Sequence, residues 1–178
     1  MEIFIGGGGD DLAWLGLGVV RDYVDAYVAE TGRQALYAPN ARVGELTRRL
    51  RACRDAAPLN LVGHSWGGPD AFELAARLSA AGRPVDNLIT LDAVSGPFRR
   101  HSVAFEIGYW LDVTARPQAP DRSDRLTHLP PLSRKPSRLP FGEADCRVTL
   151  ELSHWNVAGM MRLSGARERL DNSYRSPK

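Results

Sequence analysis

Residues 59–63 form a short apolar run that enters Gly63-His64-Ser65-Trp66-Gly67-Gly68 and leaves directly into an alanine- and leucine-rich stretch, 68–81. The run reads as a buried strand, and the stretch after it as a helix closed by Gly82. A strand that turns into a helix over so few residues brings the main chains of both elements close together. That approach asks for glycine on either side of the turn and strains the residue between them. The residue is Ser65, within the pattern G-x-S-x-G. The bare pattern arises by chance, but a strand before it and a helix after it are the setting of a nucleophile elbow. The serine oxygen then projects at a helix N-terminus, where the dipole and the amide N–H groups favour developing negative charge.

The rest of the chain alternates in the same way. Residues 2–5 read as a short strand ending in Gly6-Gly7-Gly8-Gly9, residues 18–31 as a helix stopped by Gly32, and residues 34–38 as a strand stopped by Pro39. Residues 42–55 place Val43, Leu46, Leu50 and Cys53 on one face of a surface helix. Strands follow at 87–92, near 107–114 and at 146–152, with a closing helix over 156–170 and a frayed tail at 171–178. Six prolines interrupt 115–145, interleaved with arginines, so that segment reads as a long loop without regular structure. Alternating strands and helices predict an α/β fold: a mostly parallel sheet of about six strands with helices on both faces. With 178 residues, 43% hydrophobic and 25% charged, the chain suits a single domain spanning 1–178.

A serine hydroxyl needs a base. Of the four histidines, His64 is adjacent to Ser65 and its side chain is expected to be directed elsewhere, while His101 and His128 lie in irregular segments. His154 follows the last predicted strand, and in a parallel sheet it emerges at the same edge as Ser65. The histidine in turn needs an acid to fix its tautomer. Asp92 ends the strand 87–92 at that edge. Asp112, near the end of the following strand, is the chief alternative, and Asp124 is a third. The order Ser65, Asp92, His154 is the Ser…Asp…His order of one class of hydrolases. Oxyanion donors are expected from the backbone N–H of Trp66 and from Gly7 or Gly8 in the first glycine loop. Trp14, Trp66 and Trp155 are candidates for an apolar acyl pocket or for ordinary core.

Composition removes several other classes. A formal net charge of +2 is too small to argue for nucleic acid, although it permits weak attraction to an anionic membrane surface. Cys53 and Cys146 lack cysteine or histidine neighbours at ligand spacing, and the first glycine loop lacks a P-loop lysine, so no metal or cofactor is expected. The two thiols read as reduced. No apolar run is long enough to span a bilayer and the N-terminus is not a signal peptide, which predicts a cytoplasmic protein or one exported without a signal.

Ile3-Phe4-Ile5-Gly6-Gly7-Gly8, Gly63-His64-Ser65-Trp66-Gly67-Gly68, Leu91-Asp92-Ala93-Val94 and His154, taken in order, resemble the small lipase/esterase branch of the α/β-hydrolase superfamily. The resemblance implies a minimal α/β-hydrolase that cleaves carboxylic esters, phospholipids included, through an acyl-enzyme and without a cofactor. Its partner would be a small-molecule or lipid ester. A thioesterase, amidase or acyltransferase would use the same residues. An inactive hydrolase-fold interaction protein is the reading from a different class. No long helical cap is evident, so 115–145 is the segment available to cover the site.

Overall fold

The structure, a computed structural model, describes residues 1–11, 18–39, 42–53, 57–94, 106–127 and 144–174. The elements are, in chain order, β1 (Glu2–Gly6), α1 (Val19–Thr31), β2 (Ala35–Pro39), α2 (Val43–Ala52), β3 (Asn60–His64), α3 (Gly67–Ser79), β4 (Val85–Leu91), β5 (Ile107–Ala115), α4 (Arg122–Leu126), β6 (Cys146–Leu150), α5 (Val157–Leu163) and α6 (Ala166–Ser173). Six strands form one sheet in the order β2-β1-β3-β4-β5-β6, and every pairing is parallel. The fold is therefore the expected α/β architecture. No helix of the described residues is long and apolar enough to cross a membrane.

Side-chain alternation builds two cores. Ile3, Ile5, Leu61 and Leu88 face α2 and α3, where they pack with Leu46, Leu50, Leu74 and Leu78. Phe4, Val62, Ile89 and Leu91 face the other way, against Val24 and Tyr27 of α1, Met160 of α5 and Leu170 of α6. Because β1, β3 and β4 are covered on both faces, their sequences are nearly continuous apolar runs. Each fully buried leucine or isoleucine in them contributes roughly 1.5–3 kcal/mol relative to exposure.

The strand order also locates the site. The chain leaves β1 toward β2 over one face through α1, and leaves β3 toward β4 over the other through α3. Connections that depart to opposite faces from neighbouring strands leave a crevice at the carboxyl edge, here between β1 and β3. The Gly7–Gly9 loop and Ser65 both lie there.

Three expectations are corrected. Segment 115–145 is not without regular structure: β5 runs through Ala115 and α4 occupies Arg122–Leu126. Pro117 and Pro120 precede α4 and do not interrupt it, and its start is a capping box. The Asp121 carboxylate accepts from the Ser123 and Asp124 amides, and the Asp124 carboxylate accepts from the Asp121 amide. Residues 128–143 of the predicted loop lie outside the described residues. The closing helix is split, because Gly165 takes φ +79° between α5 and α6, a left-handed conformation that side chains disfavour. The predicted tail is helical through Ser173. It is held by hydrogen bonds from Asn60 Nδ2 to Ser173 Oγ and from Arg33 to Asp171, at 2.9 Å and 2.7 Å.

Candidate active site

Ser65 follows β3 directly and holds φ +55°. Its neighbours explain how the turn closes. A Cβ on Gly63 would overlap the Gly67 carbonyl, and one on Gly67 would overlap the Ile5 carbonyl. Main-chain bonds then hold the turn: Ser65 N–H donates to Leu91 O of β4 at 3.1 Å, and the N–H groups of Gly68 in α3 and of Val94 beyond β4 both donate to Ser65 O at 3.0 Å. Helix α3 begins at Gly67 without a side-chain cap, so its positive end lies at the turn.

Asp92 occupies the equivalent place one strand over. It follows β4, holds φ +39°, and donates its N–H to Val113 O at 2.7 Å. Both of its carboxylate oxygens are engaged. Oδ1 accepts from Ala115 N–H at 3.0 Å, and Oδ2 lies 2.7 Å from His154 Nδ1 with both side chains buried. A carboxylate only accepts, so Nδ1 carries the hydrogen and Nε2 remains as the basic nitrogen of the ring.

His154 is gripped at its main chain as well. Its N–H donates to Asp124 Oδ1 at 3.0 Å. Its carbonyl accepts from His64 Nε2 at 2.8 Å, and the two imidazole rings sit 4.6 Å apart. The His64 ring is thus directed away from Ser65, as expected, and it reaches the carbonyl of the other histidine, which the sequence did not indicate. Burial, then the neighbouring His154, push the His64 pKa down to about 3. The ring is neutral, with its hydrogen on Nε2 and its buried Nδ1 without a hydrogen-bond partner.

Ser65 and His154 open onto one cavity of about 350 Å³, which Gly7, Gly8, Trp66 and Trp155 also line. A Cβ on Gly7 would stand 2.7 Å from Ser65 Cβ and 3.2 Å from Ser65 Oγ, so that loop lies against the serine. A Cβ on Gly8 would strike the Trp66 ring. Asp10 holds the loop from behind, accepting from Val20 N–H at 3.0 Å while its own N–H donates to Gly7 O at 3.3 Å. Ser123 and Thr127 of the α4 segment supply another wall.

Asp112 stands apart from this cluster. It shares a face with Trp110, which packs on Phe72 of α3, and it accepts from Thr90 Oγ1 at 2.6 Å. Burial pushes its carboxyl pKa up, partly offset by the Thr90 hydrogen bond. The alternative-acid reading therefore does not match the geometry, because strand alternation turns Asp112 to the other side of the sheet from Leu111 and Val113. Asp124, read as a third candidate acid, binds the His154 main chain and not its ring. His101, His128 and Trp14 lie outside the described residues. Among the described residues no group of three histidine, cysteine or acidic side chains is placed to hold a metal ion, and Cys53 and Cys146 are free thiols.

Residues 27–103, which take in Ser65 and Asp92, match the model of a family described as a thioesterase domain. No curated protein matches the chain. Among solved structures, ClbQ from the colibactin NRPS/PKS pathway aligns over 98% of each chain with a TM-score of 0.43 and 12% identity.

Proposed function

We propose that this chain is a serine hydrolase acting on acyl thioesters, with Ser65 as nucleophile, His154 as general base and acid, and Asp92 as the acid that orients His154. The observation that carries the reading is the buried 2.7 Å bond from His154 to Asp92 beside a cavity that also holds Ser65. In the reaction, His154 Nε2 takes the Ser65 proton as Oγ attacks the acyl carbonyl. The Asp92 carboxylate stabilises the imidazolium that forms. The backbone N–H of Trp66, with Gly7 or Gly8, supplies the oxyanion donors, helped by the positive end of α3. The thiol leaves with the proton from His154, and a water activated by the same nitrogen then releases the acid.

The sequence alone favours oxygen esters and keeps thioesters as an alternative. The thioesterase match over residues 27–103 supports reversing that order. The chemistry at Ser65 is common to both, and the leaving group separates them.

Labelling by a fluorophosphonate probe tests the nucleophile. Wild-type protein is expected to label and Ser65→Ala to remain unlabelled. A folded wild type that does not react overturns the serine-hydrolase reading and favours a hydrolase-fold interaction protein.

A further inference from the structure

His154 is held at three polar groups by three separate parts of the chain. Asp92 after β4 binds the ring at Nδ1, Asp124 of α4 binds the N–H, and His64 at the end of β3 binds the carbonyl. Only the first is needed for the chemistry at the ring. The other two fix the main chain on either side of the Cα from which the ring projects, so they set where Nε2 stands relative to Ser65. Both are expensive groups to bury. His64 is 3% and Asp124 2% exposed, and an unpartnered His64 Nδ1 carries a desolvation cost that a leucine would avoid. Asp124 is itself fixed, because its second oxygen accepts from the Asp121 N–H at 3.0 Å within the capping box of α4. The same short helix brings Ser123 and Thr127 to the cavity wall.

We infer that His64 and Asp124 are positioning residues that clamp the His154 main chain from opposite sides, and that α4 thereby couples the cavity wall to the base. The inference rests on the reading of His154 as general base. The His64 role depends on one N–H at the right reach, and Asp124 on one acceptor oxygen. Neither exchanges a proton with substrate.

The test uses hydrolysis of butyryl-N-acetylcysteamine by the full chain, with kcat and KM measured separately and folding checked by near-ultraviolet circular dichroism. His154→Ala comes first: wild-type turnover in that variant removes the base reading itself, independently of the clamp. Given a large loss there, His64→Gln and His64→Asn are compared. Glutamine places its amide nitrogen near the position of Nε2, whereas asparagine is one methylene short of the carbonyl. A misplacement of the base by a fraction of an ångström to 1 Å is expected to lower kcat by about 10- to 100-fold in His64→Asn, with KM within about twofold. His64→Gln is expected to restore most of that loss. Equal kcat in wild type, His64→Gln and His64→Asn overturns the clamp, and so does an equal loss in both variants. Asp124→Ala and Asp124→Asn give the same comparison at the other end, and decide the matter should His64→Asn fail to fold. Asparagine keeps an acceptor and is expected to retain more kcat than alanine; wild-type kcat in Asp124→Ala overturns the proposal.

Discussion

Ser65 and Asp92 end adjacent parallel strands, one step beyond the paired residues His64 and Leu91, and both hold positive φ, +55° and +39°. Among the described residues they are the two non-glycine residues in that region. Such a conformation costs on the order of 1–3 kcal/mol per residue, and it persists where surrounding structure over-determines it. Here the Ser65 N–H bonded to Leu91 O and the Asp92 N–H bonded to Val113 O lock both turns to the sheet.

The strain at Ser65 can be measured apart from activity. Ser65→Gly and Ser65→Val should both be inactive. A β-branched residue tolerates positive φ least, so the valine variant is expected to be less stable than the glycine variant by about 1–3 kcal/mol in urea unfolding. Equal stabilities would mean that the turn is not strained.

The two candidate acids separate by geometry. Asp92→Asn keeps the size of the side chain but removes the carboxylate from His154, and kcat is expected to fall by roughly 10³- to 10⁴-fold. Asp112→Asn leaves the His154 bond intact, and activity within about threefold of wild type is expected there, since a small loss of one Thr90 hydrogen bond is remote from the ring. Comparable losses in the two variants would contradict the assignment.

The glycine loop gives a steric test with an internal control. A methyl on Gly7 falls on Ser65, while one on Gly44, exposed in α2, meets nothing within 4 Å. Gly7→Ala is expected to reduce kcat by about 10²- to 10³-fold, the range for losing an oxyanion donor. Gly44→Ala should leave turnover alone and raise stability by about 0.5–1 kcal/mol. A fully active Gly7→Ala would remove this loop from the site.

Acid stability should carry a signature of His64. Unfolded, its imidazole takes a proton near the ordinary histidine value of 6.5; folded, only at about 3. Between those values the unfolded chain binds more protons, so this residue makes stability fall as pH is lowered through that window. Buried Glu2 and Asp10 and half-buried Asp112 have raised carboxyl pKa values and act in the opposite sense. The difference between wild type and His64→Gln isolates the histidine. The loss of stability from pH 7 to pH 4 is expected to be smaller in the variant, and an equal or larger loss would show that the ring is not held neutral.

The sheet was legible in the sequence because its central strands are buried on both faces and bounded by glycine or proline. Asp92 was legible for a related reason: it closes an apolar run, and parallel strands bring their ends to one edge. What could not be read is what depends on side-chain reach across the sheet. Adjacency to Ser65 says only that the His64 ring does not face the serine; it does not say that the ring reaches the loop that carries His154. Helix α4 was hidden by the surrounding prolines, although Asp121 and Asp124 hold the spacing of a capping box. The break at Gly165 was visible only as a glycine inside an otherwise helical stretch.

A matched pair of substrates addresses most directly which bond the proposed nucleophile Ser65 breaks. Butyryl-N-acetylcysteamine and its oxygen-ester counterpart differ by one atom, at the leaving group. Wild-type protein is expected to hydrolyse the thioester with a kcat/KM about tenfold or more above that of the oxygen ester, equivalent to about 1.4 kcal/mol of transition-state preference, and Ser65→Ala to hydrolyse neither. An oxygen ester cleaved as fast as or faster than the thioester, or thiol release that survives Ser65→Ala, would contradict the proposed thioester hydrolysis.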